Sequence, residues 1–77
     1  MRILEGLRDT RMRRRVSRMD EPTMRAWMSQ EIMGFTAAWK EFERSHSPHA
    51  LDEVEARLRA KAALTEGLRR QFKQAKL

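Results

Sequence analysis

The sequence predicts an all-α chain, and three observations carry that reading. Strand-favouring residues are scarce, with Ile 2, Val 2, Thr 4 and no Tyr, while Ala, Leu, Met, Arg, Glu, Lys and Gln dominate. Large apolar residues recur at alternating spacings of three and four over two long stretches. Gly is 3 and Pro 2, and both prolines fall where a helix would begin. The architecture expected is an antiparallel helical hairpin over residues 20–77, preceded by a basic N-terminal helix or arm over 1–19. Two such hairpins are expected to pair into a dimeric helical bundle.

The first element, residues 1–19, holds seven Arg against Glu5 and Asp9, a net +5. On a helix, Arg8, Arg11, Arg15 and Arg18 fall at spacings of three, four and three, with Arg14 beside them and Arg13 in the same cluster. Met12, Val16 and Met19 form an adjacent apolar strip. Like charges at i,i+4 destabilise an isolated helix by a few tenths of a kcal/mol per pair, so something acidic or polyanionic is expected to face the stripe. The planar guanidinium fork suits phosphate, and a stripe of this kind makes binding steeply salt-dependent. Arg8, Arg11, Arg13, Arg14, Arg15 and Arg18 are therefore candidate nucleic-acid or anion-binding residues. Two other outcomes compete. The stripe could be neutralised within the chain by Glu31, Glu41 and Glu43, or it could meet an acidic protein. A membrane surface ranks low, because the apolar side of the segment is thin and lacks Trp and Phe.

The second element begins at Asp20, a natural N-cap whose carboxylate can accept from the free N–H groups of the next turn. Met19 and Met24 stand at the positions of a hydrophobic staple across it. The helix should run from about residue 21 to 44. Met28, Ile32, Phe35, Trp39 and Phe42 make a heptad-type seam, widened at its start by Met24 and Trp27. Gly34 lies off that seam, where a neighbour could approach closely.

Ser45-His46-Ser47-Pro48 is the second break, with Ser47 as cap and Pro48 at the first helical position. The third helix should run from about 48 to 74. Leu51, Val54, Leu58, Ala62, Leu68 and Phe72 share a face, with Leu64 at its edge. Asp52 and Glu53 lie towards the positive end of the helix dipole. Opposite that face, Glu55/Arg59 and Glu66/Arg70 are i,i+4 pairs in the favourable order, which marks a solvated surface.

Seventy-seven residues suffice for one small domain. A core this size contributes about 3–5 kcal/mol, and small scaffolds usually need a staple. With no Cys and no visible metal site, self-association or docking is the device left. Met24, Trp27, Met28, Ile32 and Phe35, with Trp39, Phe42, Leu68 and Phe72, are the expected oligomer or partner interface. No run approaches the roughly 18 apolar residues of a spanning helix. No secretory leader is expected, and an Arg-rich transit peptide fits poorly with Glu5 and Asp9, so a cytoplasmic chain is expected. His46 and His49 flank a turn without the four converging ligands of a closed metal site. The serines lack paired His and Asp, and no phosphate-cradling Gly-rich loop occurs. The expectation is a non-enzymatic regulatory or accessory protein, without cofactor or metal. It would bind DNA or RNA through its arginine helix and self-associate, as a dimer, through its hairpin. The rival is a protein-interaction module, an adaptor, inhibitor or assembly subunit, whose basic helix docks on an acidic protein surface.

Overall fold

A computed structural model describes residues 2–75, with side chains described for residues 10–74. Three helices make up its regular structure: α1 (Arg2–Ser17), α2 (Glu21–Ser45) and α3 (Pro48–Ala75). Local chemistry sets their ends. Helix α1 closes in a tight turn, with Arg18 N donating to Arg15 O at 3.2 Å and Met19 N to Val16 O at 3.0 Å. Asp20 then caps α2 from extended backbone, its carboxylate accepting from Thr23 N at 2.9 Å. At the other end of α2 the chain reverses through His46, whose left-handed backbone (φ 52°, ψ 28°) aims its N–H at Phe42 O, 2.7 Å away. Ser47 caps α3, its hydroxyl accepting from His49 N at 3.2 Å, and Pro48 opens it. The first turn of α3 holds no acidic residue. Asp52 and Glu53 stand one turn too far along to act strongly on the dipole, which fades within the first turn. Glu53 binds Arg57 instead.

Helices α2 and α3 form the larger contact, and α1 lies on α3. Small side chains dominate the line where α2 and α3 meet. Ala38 on α2 and Ala50, Val54, Ala60 and Leu64 on α3 are buried, which lets the backbones approach closely. The core proper sits where all three helices converge. Val16, Met24, Ala63 and Leu64 are buried there, with Met12, Met19, Trp27, Met28 and Leu68 packed around them. The strip Met12–Val16–Met19 is thus the docking edge of α1, and Met19 packs on the cluster that contains Met24, as a staple across Asp20 requires. Gly67 makes the docking possible: a Cβ there would stand 2.6 Å from Val16 Cγ1.

Three features differ from expectation. The buried line on α2 runs through Met24, Glu31 and Ala38, about one residue round the helix from the bulky seam. Met28, Phe35 and Phe42 are therefore half-buried, and Ile32 and Trp39 are exposed. Leu64, expected at an edge, is fully buried. Glu66 and Arg70 do not pair; among the described residues the i,i+4 ion pairs are Arg25–Glu21 and Arg57–Glu53.

Glu31 explains part of the rotation. It is 9% exposed, and Arg57 Nη1 reaches it across the helix interface at 3.1 Å while Arg57 Nε holds Glu53 at 3.0 Å. Gly34 provides the room, since a Cβ there would stand 2.8 Å from Arg57 Cζ. The close approach expected at Gly34 is made by a guanidinium. The molecule is flat and long, 48 × 27 × 14 Å, with a radius of gyration of 14.0 Å. A compact domain of this length would have about 11–12 Å.

Candidate nucleic-acid interface

Burial of Val16 decides how α1 presents its arginines. At about 100° per residue, Arg14 and Arg18 lie on the side opposite Val16, Arg11 and Arg15 beside them, and Arg13 on the other flank. All five are exposed. Among the described residues, none of the five forms an ion pair. Of the three carboxylates expected to neutralise them, Glu31 is engaged by Arg57 and Glu41 by Arg44, and Glu43 forms no ion pair with them among the described residues. Arg15 makes the one described intramolecular contact of the group's charged ends, its Cζ lying 5.7 Å from the centroid of the Trp27 ring. That cation–π contact orients Arg15 along the seam between α1 and α2 and leaves its hydrogen-bond donors uncommitted. The side chain of Arg8 lies outside the described residues.

The resulting surface concentrates cationic charge over about 10 Å of helix, at 1.5 Å rise per residue. Arg14 and Arg15, in the last turn of α1, also face the negative end of its dipole, which offsets part of their mutual repulsion. Beside the arginines, Met12, Arg13, Arg59, Ala62, Ala63 and Glu66 line a cleft of about 110 Å³ between α1 and α3. That is well below the roughly 300 Å³ at which small-molecule pockets begin.

The other expected site residues divide into two sets. Met24 is 2% exposed in the chain's own core, so it has no surface to give a partner. This corrects its expected place in an interface, and the cause is the docking of α1 on the same spot. Trp27, Met28 and Leu68 are partly buried around it. Phe35 and Phe42 are half-buried, and Ile32, Trp39 and Phe72 are exposed at 48%, 44% and 62%. Leu51 and Leu58, on the α3 face expected to dock, are exposed as well. Their spacing of seven was the signal for that shared face. Arg57 went unnoticed, because only a carboxylate placed mid-seam in another helix gives it a role.

The turn histidines are exposed, with the ring of His46 edge-on to Phe42 at 6.2 Å. Among the described residues no group of three or more His, Asp or Glu converges as metal ligands would. Hydrogen bonds from Thr23 hold the Asp20 carboxyl below the usual carboxylate range, and the Arg44 hydrogen bond does the same for Glu41. Among the described residues, no helix is long and apolar enough to cross a membrane. No family model matches the chain, and neither the curated proteins nor the solved structures contain a significant match to it.

Proposed function

We propose that this is a small non-enzymatic regulatory or accessory protein that binds nucleic acid through α1, mostly by phosphate, and self-associates through its hairpin. One observation carries the reading: Arg11, Arg13, Arg14, Arg15 and Arg18 are exposed and form no ion pair among the described residues, although the chain has carboxylates. A cluster of like charges costs stability unless an external anion meets it. Duplex DNA supplies one phosphate per about 1.7 Å of its axis, a density that suits this cluster better than isolated carboxylates do. The test is electrophoretic or anisotropy titration against a short duplex and a single strand across a range of salt. With four or five phosphates neutralised, the slope of log K against log salt should be about −4. Replacing Arg11, Arg14, Arg15 and Arg18 with Gln should flatten it to about −1, because Arg13 remains. Absence of any shift at low salt for the wild-type chain sinks the proposal.

A second reading is supported by the exposed apolar residues Ile32, Trp39 and Leu58: an adaptor, inhibitor or assembly subunit whose arginines meet an acidic protein. It predicts a complex of defined stoichiometry that survives nuclease treatment, and indifference to DNA and RNA.

A further inference from the structure

The two edges of the α2–α3 contact differ in kind. At about 100° per residue, Phe35, Trp39 and Ile32 turn to one side of the Glu31–Ala38 line, and Trp27 and Gly34 to the other. On α3, Leu51, Leu58 and Lys61 turn to the first side, Ala60, Ala63 and Gly67 to the second. Contacts tie each side together. Lys61 Nζ stands 4.2 Å from the centroid of the Phe35 ring on the first side. On the second, Val16 meets Gly67 and Arg15 stacks on Trp27. Helix α1 therefore covers the second side and leaves the first bare.

We propose that the bare side pairs two copies of this chain about a two-fold axis parallel to the helices, α2 of each over α3 of the other, so that the two arginine surfaces look in opposite directions and the dimer bridges two nucleic-acid backbones. The bridging rests on the nucleic-acid reading above; the pairing does not.

Area argues for a second copy. Large side chains are worth about 150–250 Å² each, so Ile32, Phe35, Trp39, Leu51 and Leu58 leave on the order of 500 Å² of apolar surface bare. That is at the upper end of what a monomer exposes. With its polar rim the face approaches the roughly 800 Å² each partner contributes to a stable interface. The face is also self-complementary in size. The Glu31–Arg57 contact sets the levels of the hairpin, placing Ile32 near the level of Leu58 and Trp39 near that of Leu51. A two-fold axis along the helices lays the bulky side chains of α2 over the smaller Leu51 and Leu58 of the second copy, the large-over-small matching that helix layers need. An axis across the helices would stack α2 on α2, bulk upon bulk. The flat shape, 14 Å in its shortest dimension, makes each chain one layer of a four-helix bundle.

Light scattering on the chain without nucleic acid should give twice 9.2 kDa at high micromolar concentration. Trp39→Glu should return it to the monomer with its circular dichroism unchanged. Because the chain has no Cys, a mixture of Ile32→Cys and Leu58→Cys chains should crosslink to each other faster than either does to itself. A bead-tethered duplex should then capture a second, free duplex only when the wild-type chain is present. Trp39→Glu should bind one duplex without bridging, and the arginine-to-Gln variant should stay dimeric without binding. A wild-type monomer at every concentration overturns the pairing and leaves the face to a partner of another kind. Faster self-crosslinking of Ile32→Cys overturns the axis. A dimer that binds one duplex but cannot bridge overturns the opposed arrangement. A dimer that binds none overturns the bridge through the nucleic-acid reading and supports the pairing.

Discussion

Replacing Gly67 with Ala puts a methyl group where three helices meet. The new Cβ would stand 2.6 Å from Val16 Cγ1, 3.1 Å from Met24 Sδ and 3.3 Å from Met24 Cε. The thioether of Met24 is flexible and can yield. Val16 is β-branched, stiff at χ1 and fully buried, so relief there requires α1 itself to move. The helix gains about 1 kcal/mol from Gly→Ala propensity. Overpacking costs about 1–3 kcal/mol, and lifting α1 away forfeits about 1.5–3 kcal/mol of Val16 burial. The net expectation is a loss of about 1–2 kcal/mol, a fall in melting temperature of roughly 5–15 °C for a chain this size. Gly34→Ala is the control. It carries the same propensity gain, but its Cβ meets the movable end of Arg57, 2.8 Å away at Cζ. Its net effect should stay within about 1 kcal/mol of zero, because displacing Arg57 from the buried Glu31 offsets the gain. Thermal and urea melts by circular dichroism read both. A double-mutant cycle sharpens the test: Val16→Ala removes the clashing Cγ1, so it should cost far less in a chain that already carries Gly67→Ala than in wild type, with a coupling of about 1 kcal/mol or more. A Gly67→Ala chain as stable as wild type, or additive behaviour in the cycle, would show that α1 does not dock through Val16.

Two other predictions concern the turns. His46→Gly should stabilise the chain by about 0.5–1 kcal/mol, since His46 holds a left-handed conformation that costs a side chain energy, against a small loss of its ring contact with Phe42; a denaturant midpoint that falls would contradict the cap assignment. Acid should weaken the fold through Asp20 and Glu41, both held below their ordinary values of 3.8 and 4.5. A depressed carboxyl stabilises above its unfolded pKa and loses that contribution as pH falls through its folded one. Melting temperature should therefore fall progressively below about pH 4.5, and less so in Asp20→Asn, which caps without titrating.

The helix ends were legible in the sequence because capping is local: Asp20 with Thr23, Ser47 with His49 and Pro48 each act within three residues. The facing of the helices was not. A seam of Met28, Ile32, Phe35, Trp39 and Phe42 looks like a contact line because its members are large. Two helices approach most closely along small residues, and here those are Ala38, Ala50 and Ala60, flanked by the bulk. The buried charge Glu31 pulled the line further round by reaching Arg57, a partner that no local pattern announces. The arginine stripe was legible as a charge run. That its described members pair with no carboxylate among the described residues was not, since Glu31 and Glu41 look available until Arg57 and Arg44 are placed beside them.

One contact links the fold to the proposed site. An isolated α1 could rotate freely, and its arginine stripe would face no fixed direction relative to the hairpin. Burying Val16 against Gly67 selects one rotation, and the Trp27 ring under Arg15 holds the same one from the other side. The glycine at the centre of the core therefore sets the direction in which Arg11, Arg14 and Arg18 point. It follows that Gly67→Ala should not abolish polyanion binding, because the charges remain. It should cost affinity by the ordering of α1 that binding must now supply, while leaving the salt slope, which counts phosphates rather than order, close to wild type.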